Sequence, residues 1–175
     1  MEVSHGAAMR MSRSVLTLVG LLAALAAACH PAPAATTPNA APPTPVEVDA
    51  AVKSRIEQYR QGYEVRSLDA LAPLYSRTED LSITVQGRTL RGWTQAQETL
   101  GAWLAKAVTV KVRVSELQVI ALGDAGALAT MSVHRSYGDG VTTVDEIGTL
   151  LLVFRRSGSD WLIVAESYSY ASAPT

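Results

Sequence analysis

Residues 148–164 read GTLLLVFRRSGSDWLIV, and this stretch decides the fold. An apolar run gives way to four turn-forming residues, Ser157–Asp160, and a second apolar run begins at Trp161. Serine, glycine and aspartate favour tight turns, whereas branched aliphatic and aromatic residues favour strands. The stretch therefore predicts two long strands, Val141 to Arg156 and Trp161 to Tyr170, which pair as an antiparallel hairpin.

Two earlier stretches show the same alternation of apolar and polar residues, Thr109 to Ala121 and Ala127 to Tyr137. Turn signals follow each of them, Gly123-Asp124 after the first and Gly138-Asp139-Gly140 after the second. Because the strands are long and the turns are tight, the four stretches predict an antiparallel meander.

The chain before the meander has helical periodicity. Thr44-Pro45-Val46-Glu47 is a capping-box sequence with proline at the first helical position, so it predicts the start of a helix. Apolar residues then recur at steps of three and four, which places them on one helix face. They are Val48, Val52, Ile56, Tyr59 and Tyr63.

Shorter elements lie between this helix and the meander. Ser67 is positioned to cap a short helix from Leu68 to Tyr75, and Leu81 to Gln86 reads as a strand that returns through Arg88 to Arg91. A second capping-box pattern, Thr94 to Gln97, predicts a helix that ends near Ala107. Helices first and strands later indicate an α+β domain, with helices covering one face of a curved sheet.

The ordered set of segments resembles the nuclear transport factor 2-like superfamily, particularly its SnoaL-like branch. The resemblance implies a cone-shaped roll, in which N-terminal helices pack on a strongly curved, mostly antiparallel sheet that encloses a pocket. Members include isomerases, cyclases, dehydratases, binding modules and assembly domains, so the fold leaves the function open. The segments that carry the resemblance are Ser67–Leu71, Val85–Gly87, Arg91-Gly92, Val119–Asp124, Gly148–Arg156 and Trp161–Val164.

This sequence departs from the superfamily at positions that matter for catalysis. Many relatives carry histidines after the last tryptophan-containing strand, whereas the corresponding stretch here, Ala165–Ser169, has none. The tyrosine and paired aspartates of the steroid isomerases also have no match. These departures favour a domain that binds without catalysis over a SnoaL-like isomerase, cyclase or hydratase.

The catalytic candidates are strand residues that can hold or transfer a proton. Glu166 and Tyr168 share one strand face, where they can polarise a carbonyl group or form a structural hydrogen bond. Asp145 and Glu146 are adjacent and point to opposite faces, so at most one enters the pocket. His134 is either a base in the pocket or a histidine that faces solvent.

Five aromatic residues of the helical region are candidates for the pocket lining, or else for the plain core. They are Tyr59, Tyr63, Tyr75, Trp93 and Trp103. We expect no metal site, because the predicted domain has one histidine and no cysteine, and no cofactor motif is found. From Val46 to the end, 13 basic and 15 acidic residues argue against a nucleic-acid partner.

The start of the chain resembles the signal of a bacterial lipoprotein. Arg10 and Arg13 precede the apolar run Val15 to Ala28, which is too short to span a bilayer comfortably. The run ends in Leu-Ala-Ala-Ala-Cys, with the cysteine at Cys29. The alternatives are an ordinary signal peptide and an uncleaved anchor. We expect export to the cell envelope, on a periplasmic or outer-membrane face, with lipid on Cys29.

The predicted organisation has three parts: a signal peptide (1–28), a lipidated cysteine with a Pro/Ala-rich linker (29–45) and one folded domain (46–171). The linker lacks charge and large apolar residues, so it favours extended polyproline II and acts as a spacer. The domain is expected to bind a small apolar or aromatic molecule, or a partner protein. We also expect a homodimer through the outer sheet face, with Val108–Val114 and Leu150–Phe154 as the apolar patch.

Replacing the lipidated residue tests the anchor. Cys29→Ala is expected to move the protein from the membrane fraction to the soluble fraction, because acyl chains supply the membrane affinity. Immunoblotting of fractionated cells measures this, with the linker variant Thr36→Ala as a control that stays on the membrane. A Cys29→Ala protein that still sediments with membranes would refute lipidation.

Overall fold

The computed structural model describes residues 41–173, so the predicted signal and most of the predicted linker lie outside the described residues. Three helices and six strands follow one another in this region. They are α1 (Pro45–Glu64), α2 (Leu68–Leu71), β1 (Ser82–Val85), β2 (Arg88–Arg91), α3 (Gly92–Lys106), β3 (Thr109–Leu122), β4 (Gly126–Gly138), β5 (Thr143–Ser157) and β6 (Asp160–Ser172), with a 3₁₀ turn at Ala72–Leu74. Within these residues, no helix is both long enough and apolar enough to cross a membrane.

The strands form one sheet in the order β2-β1-β6-β5-β4-β3. The four long strands pair antiparallel with their neighbours in sequence, which confirms the predicted meander. Only β1 and β6 pair in parallel, an arrangement that sequence periodicity does not indicate. Register shifts between Ser115 and Gln118 and between Val153 and Phe154 mark bulges, which bend a sheet locally. The fold is therefore the expected α+β roll on a curved, mostly antiparallel sheet.

Helix α1 begins where the sequence predicts. The Thr44 hydroxyl accepts a hydrogen bond from the Glu47 backbone N–H, and the Glu47 carboxylate accepts one from the Thr44 N–H, which completes the capping box. The predicted apolar face is buried along its whole length: Val48, Val52, Ile56, Tyr59 and Tyr63. This face packs mainly against β3.

Helix α3 begins two residues before the predicted capping box. Arg91 is extended, and its N–H donates to the Gln95 side-chain oxygen at 2.8 Å, so Thr94 is not the cap. Gly92, with φ of 74°, turns the chain directly from β2 into the helix. This left-handed conformation favours glycine, and it explains why the helix starts earlier than the pattern indicates.

The alternation of side chains separates an inner sheet face, under the helices, from an outer face. Val110 and Val112 are buried in the core, so the valines of β3 do not form the expected outer patch. A period of two places Lys111 and Arg113 on the outer face instead. Leu150, Leu152 and Phe154 of the second expected stretch are also buried, whereas Leu151 and Val153 of that stretch lie on the outer face. The other outer apolar residues are Ile120, Leu122 and Leu128.

Two helical glycines, Gly62 and Gly101, differ in how closely their neighbours approach. A Cβ on Gly62 of α1 would lie 2.6 Å from Leu71 Cδ2, and Leu71 is fully buried; a Cβ on Gly101 of α3 would lie 3.3 Å from the side-chain end of half-buried Leu68. Alanine gains about 1 kcal/mol of helix propensity at either position. The close approach of α1 to α2 therefore depends on the missing side chain at Gly62.

Gly62→Ala is expected to lower the free energy of unfolding by about 1–3 kcal/mol, because overpacking outweighs the propensity gain. Gly101→Ala is expected to be neutral or stabilising by up to about 1 kcal/mol. Urea denaturation of both variants measures the difference. Equal effects of the two substitutions would contradict the packing explanation.

Candidate functional site

A cavity of about 320 Å³ lies between α3 and the inner face of the sheet. Its walls combine aromatic and aliphatic side chains with a few polar ones. The lining comprises Tyr63, Ile83, Val85, Gln86, Arg88, Leu90, Thr99, Leu100, Trp103, Arg135, Tyr137, Glu166, Tyr168 and Tyr170. This size is at the lower end of ligand pockets, which range from about 300 to 1,000 Å³.

Arg135 is the cation at the centre of this site, and it follows Met131 and Val133 on the inner face of β4. Its guanidinium lies 4.7–5.8 Å from four ring centroids, those of Trp103, Tyr137, Tyr168 and Tyr170. Stacking on rings is typical of arginine, because its guanidinium is planar and weakly hydrated.

Glu146 neutralises Arg135 from the neighbouring strand. The Arg135 Nε and Nη2 groups donate to Glu146 Oε2 at 3.1 and 2.7 Å, and Tyr137 donates to Oε1 at 2.8 Å. Burial opposes the charge on Arg135, but the charge and hydrogen bonds of Glu146, together with Tyr63 and Tyr168, raise the pKa of the guanidinium. Because Glu146 is only 3% exposed, a substitution that removes Arg135 would leave a buried carboxylate without its cation.

Glu166 is the second buried carboxylate, and it lines the cavity. Tyr59 donates to Glu166 Oε1 at 2.9 Å and Tyr75 donates to Oε2 at 2.6 Å. Burial raises the pKa of Glu166, although the two tyrosine hydrogen bonds and the Arg135 charge act in the opposite direction. Glu166 is therefore a carboxyl group in the cavity wall that keeps its proton to a higher pH than an ordinary glutamic acid.

Tyr168 shares the inner face with Glu166, as the alternation predicts, but its hydroxyl does not open into the cavity. The hydroxyl is buried and has no hydrogen-bond partner among the described residues. Burial raises the pKa of Tyr168 to about 12. Tyr168 thus contributes its ring to the cavity, and its hydroxyl cannot polarise a ligand in this conformation.

His134 lies on the outer face, away from the cavity. Its ring nitrogens are 2.6 Å from an Arg113 Nη2 and 3.3 Å from an Asp145 carboxylate oxygen. The side chain is 30% exposed. Asp145 and Glu146 point to opposite faces as expected, since Asp145 joins His134 outside while Glu146 is inside.

The five helical aromatics divide into two groups. Tyr63 and Trp103 line the cavity, with ring centroids 5.8 Å apart. Tyr59 and Tyr75 lie behind it, where they bind Glu166, and Trp93 packs against Tyr75 with centroids 5.9 Å apart. Within residues 41–173, no group of three potential ligand side chains is placed to hold a metal ion.

Sequence reasoning missed Arg135, Tyr137 and Tyr170 as site residues. A signal for Arg135 was present, because an arginine that alternates with Met131 and Val133 must point to the apolar face of its strand. A charge on such a face needs a partner of opposite charge, but the alternation does not say which acidic residue supplies it.

The titration of Glu166 is expected to be visible in stability. Its folded pKa lies above the ordinary value of 4.5, so the neutral carboxyl stabilises the fold below that pH. This contribution is lost as the pH rises through the folded pKa. Relative to Glu166→Gln, the wild-type free energy of unfolding should therefore fall as the pH rises above about 4.5, and it should level off above the folded pKa.

Urea denaturation of the wild type and of Glu166→Gln at several pH values measures the difference between their free energies of unfolding. The contributions of other titrating groups cancel in this difference. Two parallel pH profiles would show that the carboxyl titrates alike in the folded and unfolded chains.

Comparison with solved structures places the fold among known proteins. A candidate dehydratase of the NTF2-like family from Streptomyces avermitilis is 17% identical, with a TM-score of 0.67 over 74% of this chain and all of that one. An NTF2-like superfamily protein from Salmonella enterica is 20% identical, with a TM-score of 0.65 over 73% and 93%. LinA is 14% identical, with a TM-score of 0.63 over 73% and 88%. At these identities, the similarity shows a shared fold.

The sequence itself also matches a known family. No curated protein matches the chain significantly. The family model described as SnoaL-like domain, however, matches residues 52–173, from the second turn of α1 to the end of β6. The structure and the family match agree over the same segment. The chain therefore belongs to the SnoaL-like domain family, within the NTF2-like fold.

Proposed function

We propose that this protein is an envelope-anchored lipoprotein whose cone-shaped domain binds a small apolar or aromatic molecule without catalysis. The state of the polar groups at the cavity carries the proposal. Arg135 and Glu146 neutralise each other, and both oxygens of Glu166 already accept hydrogen bonds from tyrosines. Groups that are engaged in this way hold the shape of a site and are poorly placed to transfer protons.

The walls of the cavity support an aromatic or apolar ligand. Trp103 and Tyr137 meet edge to face at 5.2 Å, and Tyr168 and Tyr170 stack at 5.0 Å. Leu100 of α3 completes the apolar surface. Rings gain favourable contacts from such walls, and the volume of about 320 Å³ suits a molecule of one or two rings.

The support for the proposed anchor comes from the sequence alone. Cys29 is the only cysteine, and it directly follows the apolar run of the signal. The segment between Cys29 and α1 is rich in proline and alanine and has no charge, a composition that favours an extended spacer. The proposed anchor and spacer thus hold the binding domain close to a membrane but clear of its surface.

Catalysis is the second candidate function, and the position of Glu166 in the cavity wall supports it. The carboxyl group lines the cavity with a raised pKa, which is a property of general bases that work near neutrality. A SnoaL-like isomerase, cyclase or hydratase would use it to abstract a proton. A Glu166→Gln variant that retains binding and loses turnover would identify that base.

Blocking the cavity tests the binding function. The neutral dye N-phenyl-1-naphthylamine, which fluoresces in apolar surroundings, is expected to bind the full chain carrying Cys29→Ala. Adding Leu100→Trp should abolish the fluorescence increase, because the larger side chain fills the cavity. Val65→Trp adds the same side chain at an exposed site and should bind normally. Equal fluorescence from both variants would place the dye elsewhere.

We also propose that the protein forms a homodimer through the outer face of the sheet, and the apolar residues of this face support the proposal. Ile120, Leu128 and Val153 form one apolar row across three strands. Ile120 and Leu122 are each about half exposed, at 52% and 53%. An apolar face of this kind is typical of a surface that pairs with a second copy.

Light scattering of the Cys29→Ala chain is expected to give the mass of two chains. The substitution removes the lipid site, so association through lipid does not contribute to this mass. Val153→Arg should give the mass of one chain, because a buried charge would oppose the pairing. Ser159→Arg, in the turn between β5 and β6, serves as the control. A wild-type mass of one chain at micromolar concentration would rule out this dimer.

A further inference from the structure

The donors of Arg135 are only partly used within the protein. Its Nε and Nη2 groups both donate to Glu146, whereas Nη1 has no hydrogen-bond partner among the described residues. The side chain lines the cavity and keeps 16% of its surface exposed. A guanidinium has two N–H groups on Nη1, so Arg135 retains donors for a ligand.

A second guanidinium belongs to the same cavity. Arg88 of β2 also lines it, is exposed, and forms no salt bridge with the described residues. The carboxylate among the lining residues is Glu166, whose oxygens are already bound by Tyr59 and Tyr75. An entering ligand therefore meets two cationic groups and one carboxylate that is already hydrogen-bonded.

Charge and shape together restrict the ligand. Arginine donors match the geometry of a carboxylate, and the aromatic walls match a planar ring. An uncharged hydrocarbon would leave the Nη1 donors of Arg135 without an acceptor.

Building on the proposed binding function, we propose that the cavity selects a small aromatic carboxylate. The ring lies against Trp103 and Leu100, and the carboxylate accepts from Arg135 Nη1. Arg88 attracts the same anion from the exposed side of the cavity. The inference names the class of ligand and requires no chemical step.

Three matched probes test this selectivity: 2-naphthoate, its methyl ester and 2-methylnaphthalene. Each competes with N-phenyl-1-naphthylamine for the full chain carrying Cys29→Ala. The carboxylate is expected to bind about 10-fold more tightly than the ester, as one hydrogen bond to a charged group predicts. Equal affinities for all three would overturn the carboxylate inference and leave the binding function intact. Displacement by none of them would overturn both.

Variants assign the contacts without removing the buried cation. Arg88→Gln should weaken 2-naphthoate binding about 2- to 5-fold, the range of an exposed charge, and leave 2-methylnaphthalene unchanged. Arg91→Gln, on the same strand but outside the cavity lining, should change neither affinity.

Arg135→Lys keeps a positive charge beside Glu146 but lacks the Nη1 donors, so it should also lose the preference for the acid over the ester. Thermal denaturation confirms that each variant is folded. An acid preference that survives both Arg88→Gln and Arg135→Lys would overturn the assignment of the anion to these residues.

Discussion

The Glu166 carboxylate joins three parts of the fold at one buried point. It belongs to β6, accepts one hydrogen bond from Tyr59 of α1 and accepts another from Tyr75 after the 3₁₀ turn. Hydrogen bonds to a charged group are worth about 1.5–3 kcal/mol each, whereas an unpaired buried carboxylate is strongly unfavourable. The helices must therefore lie where these hydroxyls reach the strand, and this requirement fixes one wall of the cavity.

A second pair, Arg135 with Glu146, fixes another part of the cavity wall. Arg135 and Glu146 lie on adjacent strands in direct register, and four aromatic rings surround the guanidinium. The pair orders aromatic side chains from α3, β4 and β6, so the shape of the cavity depends on a polar core and not only on apolar packing. Such satisfied networks specify a single arrangement of the groups around them.

The two sheet faces have separate roles because of strand alternation. The inner face holds the cavity and its buried charges, while the outer face carries His134, Asp145 and an apolar row across β3, β4 and β5. Because His134 lies outside the cavity, Glu166 is the carboxyl group among the described residues that line it. The domain thus resembles its structural neighbours in fold, and the side chains that line its cavity are those of this chain.

Much of this architecture was determined by local sequence patterns. The capping box at Thr44, the buried stripe of α1 and the four long strands depend on periodicity and turn chemistry, which act over a few residues. The same alternation placed Glu166 with Tyr168 and separated Asp145 from Glu146.

Contacts between distant segments were decided by the tertiary structure. Glu166 meets Tyr59 and Tyr75 across separations of 107 and 91 residues, and β1 joins β6 in parallel. Periodicity gives the face of a side chain but not the partner that faces it. For that reason local patterns predicted the helices and the strands of the α+β domain, while only the folded chain showed which groups surround Arg135 in the cavity.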